Sequence, residues 1–302
     1  MGMIATAAAV AATLIVGAIL AWAVERALVR SGEEAGPART AQLRHGLDVL
    51  NADRWLLPAA PIVALGGVTL GMVVVPFGGG LIGRDLGIGV FYFIVVIDFV
   101  VLGVALGGWG ANMTDAVDAC YRIVAQLVAY VVPLGLAYVG VIMMARSLST
   151  VTIVAAQSGL WFIVLQPVGF ALYLVTGLMQ SYRAPFLEPF AASIGGGVLG
   201  ASGGWSAVLW RIALSGVLFL VAAMGAVLYL GGPDGPWLPG WAWMLLKTFG
   251  LMGLMLWLGR RVRPLSTAQM LALSWKLLTP LGLLNVLLVG GLILLGIGPS
   301  AP

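Results

Sequence analysis

Apolar residues run through this chain in blocks of about 20, interrupted by short stretches rich in Arg, Gly and Pro. Eight such blocks stand out, at about 4–24, 56–76, 88–108, 122–144, 159–179, 208–231, 241–259 and 274–296. At about 1.5 Å per residue each is long enough to cross a hydrocarbon core roughly 30 Å thick. Lipid offers no hydrogen bonds to a bare backbone, so each block is predicted to be a helix. Gly- and Pro-containing pieces such as FGGGLIGRDLG and GGPDGPWLPG punctuate the ends. Residues 38–50, ARTAQLRHGLDVL, break the pattern: Leu43, Leu47 and Leu50 recur at helical spacing while Arg39 and Arg44 fall elsewhere. That spacing predicts an amphipathic helix lying along a membrane surface.

Basic residues orient the blocks. The links after the first, third, fifth and seventh carry Arg26, Arg30, Arg39, Arg44 and Arg54, then Arg183, then Arg260, Arg261 and Arg263, with Arg122 opening the fourth block on the same side. The opposite side has Arg84 and Arg146. The positive-inside rule then puts the odd-numbered links and the amphipathic helix in the cytoplasm, and both termini outside. The Trp-rich piece PWLPGWAWM suits an aromatic belt at the outer face. The N-terminal block lacks a positive leader, exceeds the length of a signal h-region and is followed by its basic residues, so it is predicted to remain as a span. The expected fold is a single all-α polytopic membrane domain over 1–302, with eight transmembrane helices and one cytoplasmic amphipathic helix. No internal repeat is visible, which argues against inverted-repeat transporters.

Composition sharpens the class. Of 302 residues 61% are hydrophobic and 9% charged, far below the roughly 25% charge of a soluble domain, and mean hydropathy is +1.08. One cysteine, Cys120, and one histidine, His45, exclude a disulfide framework, a cysteine metal site and His-rich ligation. No nucleophile–base set, phosphate loop or paired carboxylates of the kind enzymes use is present.

Ionisable groups inside membrane blocks are costly, about 2.5–3.5 kcal/mol at a helix centre, and so are functional candidates. Asp98 lies in the middle of FYFIVVIDFVVLGVALGGW. It is either a protonated, hydrogen-bonded carboxylic acid inside the bundle or a group on a proton path. Lys247, in WMLLKTFGLM, either snorkels to the interface or is a buried functional cation. Glu25 and Arg26 close the first block as an interface ion pair or a functional one. Asp115 and Asp118 read as helix-end or solvated charges.

The order of short motifs carries a resemblance. ER at 25–26, GP at 36–37, NADRWLLPAAPIVAL at 51–65, GGWGANMTDAVDACYRIVAQLVAYVVPLGL at 107–136, QPVGF at 166–170, RAPF at 183–186, KTF at 247–249, LWLGRRVRPLSTAQM at 256–270 and WKLLTP at 275–280 follow one another over nearly the whole chain. In this order they resemble the H-type membrane subunit of respiratory complex I, the NADH:quinone oxidoreductase. The resemblance implies a component of a multi-subunit oxidoreductase in the inner membrane of a prokaryote, with other membrane and peripheral subunits, quinone and lipids as partners and no nucleic acid. It implies quinone as substrate, with iron–sulphur clusters and flavin in partner subunits and neither cofactor nor metal bound by this chain. It places Glu25, Arg26, Arg122, Gln126, Gln180, Arg183, Pro185 and Phe186 at the quinone chamber or the arm-docking face; Asp98 and Lys247 are proton-path candidates by their charge within apolar blocks.

Apart from a one-residue deletion near Gly36 and Ala38 in place of an Asn after GP, the departures remove acids. The family's Y-E-x-P reads Tyr130-Val131-Val132-Pro133, and the Glu of its E-T-N-R is Gln180. Leu187, Phe190, Ala192 and Ile194 stand where relatives carry acids after RAPF, and Ser202, Ser215 and Ala268 align roughly with others. The proton-linked relay is therefore expected to be weakened or rerouted. Two readings remain beside it: a scaffold paralogue in a complex I-like or hydrogenase-related assembly that binds no quinone, and an independent secondary transporter.

Overall fold

The structure, a computed structural model, describes residues 52–78, 80–190 and 197–298. The predicted span at 4–24, the amphipathic helix at 38–50, and Glu25 and Arg26 lie outside these residues. The described residues form helices and no strand. In chain order they are α1 (Leu56–Met72), α2 (Gly89–Ile97), α3 (Phe99–Ala111), α4 (Thr114–Ala145), α5 (Thr150–Ala155), α6 (Phe162–Leu165), α7 (Pro167–Gln180), α8 (Val198–Ala201), α9 (Gly204–Tyr229), α10 (Gly240–Arg261), α11 (Thr267–Leu273) and α12 (Thr279–Leu294). A 3-10 turn covers Glu188–Phe190, and a π turn, Ser274–Leu278, joins α11 to α12.

Among the described residues five runs are long and apolar enough to cross a membrane: α2 with α3, α4, α9, α10, and α11 through α12. Helices α1 and α7 are apolar but shorter. Two boundaries differ from the sequence reading. Helix α4 begins at Thr114 rather than 122, with Asp115 in its first turn, where a negative charge favours the helix N-terminus. The block expected at 159–179 is interrupted at Gln166, and its main helix starts only at Pro167. Pro167 crowds the preceding residue out of the helical region, and Gln166 sits at φ −134°, ψ 58°. Proline is then well placed in the first turn, where its missing N–H has no partner to lose.

Successive helices run back and forth between two ends. Val90 N–H donates to Leu148 O and Asp53 N–H to Gly110 O, which brings the start of α2 to the end of α4 and the start of α1 to the end of α3. Leu265 N–H donates to Pro185 O, which joins the links after α10 and α7. Arg54, Arg122, Arg183, Arg260, Arg261 and Arg263 thus gather at one end, whereas Arg84 and Arg146 lie at the other.

Helix α9 is the core, and almost all of it is buried. Beyond Arg211 its sequence is apolar on nearly every face, a pattern that protein core and lipid both accept, and here it is protein that covers it. Small residues let the neighbours in. A methyl on Gly216 would meet Val68 Cγ1 at 2.7 Å, and one on Gly103 would meet Ala60 O of α1 at 2.8 Å. Gly103 and Gly107 form a G-x-x-x-G step facing Ala60 and Ala64, the close packing that holds helices together where lipid removes the hydrophobic drive.

Side chains satisfy backbone groups at several irregular points. Pro133 cannot donate to Ala129 O, and the Ser274 hydroxyl at the start of the π turn does so instead. At the C-terminus of α9, Gln157 Nε2 donates to Val227 O at 2.8 Å while its Oε1 accepts from Gly231 N–H at 3.0 Å. Lys247 Nζ donates to Leu230 O, Gly232 O and Asp234 O at 2.6, 2.9 and 2.6 Å. The fully exposed Asp53 carboxylate accepts the Leu56 and Trp55 N–H groups at 2.9 and 2.8 Å, which holds its carboxyl below the usual carboxylate range.

Candidate functional site at the RAPF loop

Helix α7 ends in a Schellman turn. Tyr182 N–H donates to Met179 O at 3.1 Å and Arg183 N–H to Leu178 O at 3.4 Å, with Tyr182 in the left-handed region at φ 54°. A non-glycine residue there is strained and must be held by its surroundings. Tyr182 is buried and its ring meets Phe190 edge to face, 5.9 Å between centroids. The chain then passes a cis Ala184–Pro185 bond and closes a turn in which Phe186 N–H donates to Arg183 O at 2.8 Å.

Three elements clamp this loop. From α4, the fully buried Gln126 donates through Nε2 to Met179 O at 2.6 Å and to Phe186 O at 3.1 Å, joining the end of α7 to the far side of the turn. From α10, Gly259 packs its Cα against the Ala184 carbonyl so closely that no side chain fits between them. From the link after α10, Leu265 N–H binds Pro185 O at 3.0 Å. Phe186 is buried under the loop, and Arg183 is partly exposed at its edge. One turn before Gln126, Arg122 Nε meets Asp118 Oδ2 at 2.8 Å across an i, i+4 step, so Asp118 is a pairing residue rather than a cap. Both partners keep water contact, which makes the pair worth at most about 1 kcal/mol.

Asp98 reaches the same neighbourhood from the start of α3. It occupies the break between α2 and α3, and its Oδ1 accepts the Tyr130 hydroxyl at 2.9 Å. Tyr130 lies one turn beyond Gln126 on α4 and is fully buried. The Gln180 side chain is a second polar neighbour of the same carboxylate, and Tyr182 is a neighbour of the Tyr130 hydroxyl. Gln126, Gln180, Arg183, Pro185, Phe186 and Asp98 are therefore drawn together, although 32 positions separate Asp98 from Tyr130 and 60 separate Gln126 from Phe186.

Lys247 is not part of this group. It sits toward the opposite end, under the C-terminus of α9, with its ammonium 4.4 Å from the Trp161 ring centroid. There it supplies positive charge and three donors to the last carbonyls of a buried helix. Sequence reasoning did not single out Tyr182 or Gly259. Gly259, in LWLGRRVRPL, carried the only available hint, a glycine on the terminal turn of a predicted span. The partnership of Tyr130 with Asp98 had no local signal, since the two lie on different helices.

Among positions where the resemblance leads one to expect acids, Gln180, Phe190, Ser202 and Ser215 are buried, Leu187 and Ala268 are exposed, and Ala192 and Ile194 lie outside the described residues. The Ser202 hydroxyl turns back to Val198 O at 2.8 Å.

A family model described as NADH dehydrogenase matches residues 43–290. The chain is 36% identical over 256 residues to the first of the H-type subunits of NADH-quinone oxidoreductase from Geobacter metallireducens, covering 81% of this chain and 77% of that protein. It is 33% identical over 302 residues to the corresponding first H-type protein of Rhodopseudomonas palustris, covering 95% of both. Against the second H-type protein of Rhizobium meliloti the identity is 34% over 79% of this chain and 76% of the other. An all-helical apolar fold with a clamped RAPF loop, and similarity along nearly its full length, place this chain in the NADH dehydrogenase family, among the H-type membrane subunits of complex I.

Proposed function

We propose that this chain lines the quinone-access chamber of a complex I-type NADH:quinone oxidoreductase and links its membrane arm to the peripheral arm. The basic end of the bundle faces the cytoplasm of a prokaryote whose inner membrane holds the other spans. The RAPF loop and Arg183 face the peripheral subunits, which carry the flavin and the iron–sulphur clusters. The quinone tail runs among apolar helices beside Phe186 and Pro185.

Within this chain the response to quinone reduction passes through Asp98 instead of the acids that Val131, Gln180 and Leu187 have replaced. The observation that carries this reading is the Asp98–Tyr130 hydrogen bond, 2.9 Å long, one helical turn from the glutamine that pins the RAPF loop. A carboxylate at a helix break inside an apolar run is expensive, and here a buried hydroxyl and an amide surround it. In the intact complex in proteoliposomes, Asp98→Asn is expected to lower protons moved per electron more than quinone reduction. Equal ratios in variant and parent would sink the relay.

The one-sided loss of acids favours a second reading, a scaffold that bridges the two arms without handling quinone. Arg183→Ala and Ala184→Trp separate the two. If both leave quinone reductase activity unchanged in an assembled complex, the scaffold reading holds.

A further inference from the structure

One outward face of α10 carries its own pattern. Leu246, Gly250, Leu254, Trp257 and Arg261 follow one another at steps of three and four residues, and all are exposed, Leu246 at 56% and Trp257 at 52%. The opposite face, with Met244, Leu251 and Met255, is buried against the bundle. From Leu246 to Trp257 the stripe rises about 16 Å, close to half of a hydrocarbon core roughly 30 Å thick. A methyl placed on Gly250 or Gly253 would meet nothing within 4 Å, so the surface between Leu246 and Leu254 is open.

The stripe ends in cations. Arg260 and Arg261 lie in the last turn of α10 and Arg263 follows in the link, all three exposed. The Arg261 guanidinium sits 4.8 Å from the Trp257 ring centroid. Among the described residues the ion pair joins Arg122 to Asp118, and no carboxylate pairs with any of these three arginines. The cluster is also held in place. Gly259 packs on the Ala184 carbonyl, Leu265 N–H binds Pro185 O, and a Ser266–Gln269 capping box starts α11. Three like charges so close in sequence repel one another, and a backbone fixed on both sides limits how far they can spread. Such a cluster gains by taking up an anion, without the cost of first ordering its own chain. Basic residues at this end follow from the positive-inside rule. That rule counts charges; it asks for neither a shared helix face nor an aromatic ring under one of them.

We propose that this face of α10 binds an anionic phospholipid in the leaflet at the basic end of the bundle. The headgroup phosphate sits among Arg260, Arg261 and Arg263, whose planar guanidinium groups offer it paired N–H donors. The Trp257 ring lies at the glycerol level, with its apolar body toward the chains and its polar edge toward the headgroups. One acyl chain follows Leu254 and the open surface at Gly250 and Gly253 down to Leu246. Charge complementarity selects the headgroup, and the continuity of the cations with an apolar stripe one leaflet deep selects a lipid over a soluble acidic segment. The proposal needs neither quinone at the RAPF loop nor a relay through Asp98.

Photolabelling of the intact complex tests the site directly. The complex is placed in phosphatidylcholine nanodiscs with a trace of phosphatidylglycerol, or of phosphatidylcholine, that carries a diazirine on one acyl chain. At matched probe concentration the phosphatidylglycerol probe is expected to label the segment 246–257 about fivefold or more above the other, the effect of a single arginine at an anionic lipid surface. Equal labelling by the two probes in the parent complex would overturn the proposal. So would a segment that neither probe reaches because another subunit covers it. In the triple variant Arg260→Gln, Arg261→Gln, Arg263→Gln the excess is expected to vanish, whereas Arg84→Gln, at the other end of the bundle, should keep it. An excess that survives in the triple variant counts against the site. The two-probe comparison in the parent complex needs no variant, so it decides the matter even where the triple variant fails to assemble.

Discussion

Lys247→Met removes the ammonium that closes the C-terminus of α9. The stem volume stays nearly the same, so the loss is of three donors and one charge. Each bond to Leu230 O, Gly232 O and Asp234 O, at 2.6, 2.9 and 2.6 Å, is charge-assisted and worth about 1.5–3 kcal/mol. Removing the ammonium also relieves its own desolvation, which returns several kcal/mol. Two of the abandoned carbonyls, at Leu230 and Asp234, are only partly buried and can turn to water. The bond to Gly232 O is buried, and that carbonyl is left dry at about 1–3 kcal/mol. The stacking on Trp161 adds about 1 kcal/mol to the loss. The net expectation is a destabilisation of about 2–4 kcal/mol, read as a melting temperature lower by roughly 5–10 °C for this subunit in the purified complex. Lys247→Arg should recover part of it, because the planar guanidinium keeps the charge but cannot meet three divergent carbonyls. Protons moved per electron, measured below the melting range, should be unchanged in both variants. A Met variant as stable as the parent but with impaired pumping would refute the clamp and put Lys247 on a proton path.

Other outcomes follow from the loop and from the entry to α1. Gln126→Leu leaves Met179 O and Phe186 O unpaired in a buried site, so it should cost about 2–4 kcal/mol and raise the KM for quinone, as measured by thermal unfolding and steady-state reduction. A stable variant with parental KM would show that the loop holds without it. Gly259→Ala drives a methyl into the Ala184 carbonyl, and the overpacking should cost about 1–3 kcal/mol while shifting the loop and lowering quinone reductase activity. Gly253→Ala, on the same helix with open space around it, should leave that activity intact. The Asp53 carboxyl is held below its ordinary range in the fold, so its contribution is complete above the unfolded value and is lost as pH falls through the folded one. Amide exchange at Trp55 and Leu56 should therefore be faster in Asp53→Ala than in the parent at neutral pH. The difference should close only below the usual carboxylate range.

What could be read from the sequence is what lipid imposes on every residue separately. Apolar blocks of spanning length, the absence of strands among the described residues and the collection of arginines in alternate links follow from the cost of exposed backbone and charge in hydrocarbon, and those costs depend on local composition alone. The RAPF loop and the ordered motifs were legible for the same reason, as strings. Helix breaks were legible only in part. Pro167 marks where α7 starts, yet it takes the packed bundle to show that Ser274, far along the chain, covers the carbonyl that Pro133 frees.

The site itself is tertiary. Asp98 was visible as a lone acid in an apolar run, with nothing to choose between a quiet hydrogen bond and a proton path. Its meaning depends on Tyr130 and Gln180 arriving from two other helices. Lys247 shows the converse: by sequence either a snorkelling or a buried cation, it is placed by the fold against three carbonyls that no pattern along the chain could pair with it. Periodicity reports which residues avoid water. Which polar atoms then meet is set by the crossing of helices, where small residues such as Gly103, Gly110 and Gly259 fix how near two backbones come.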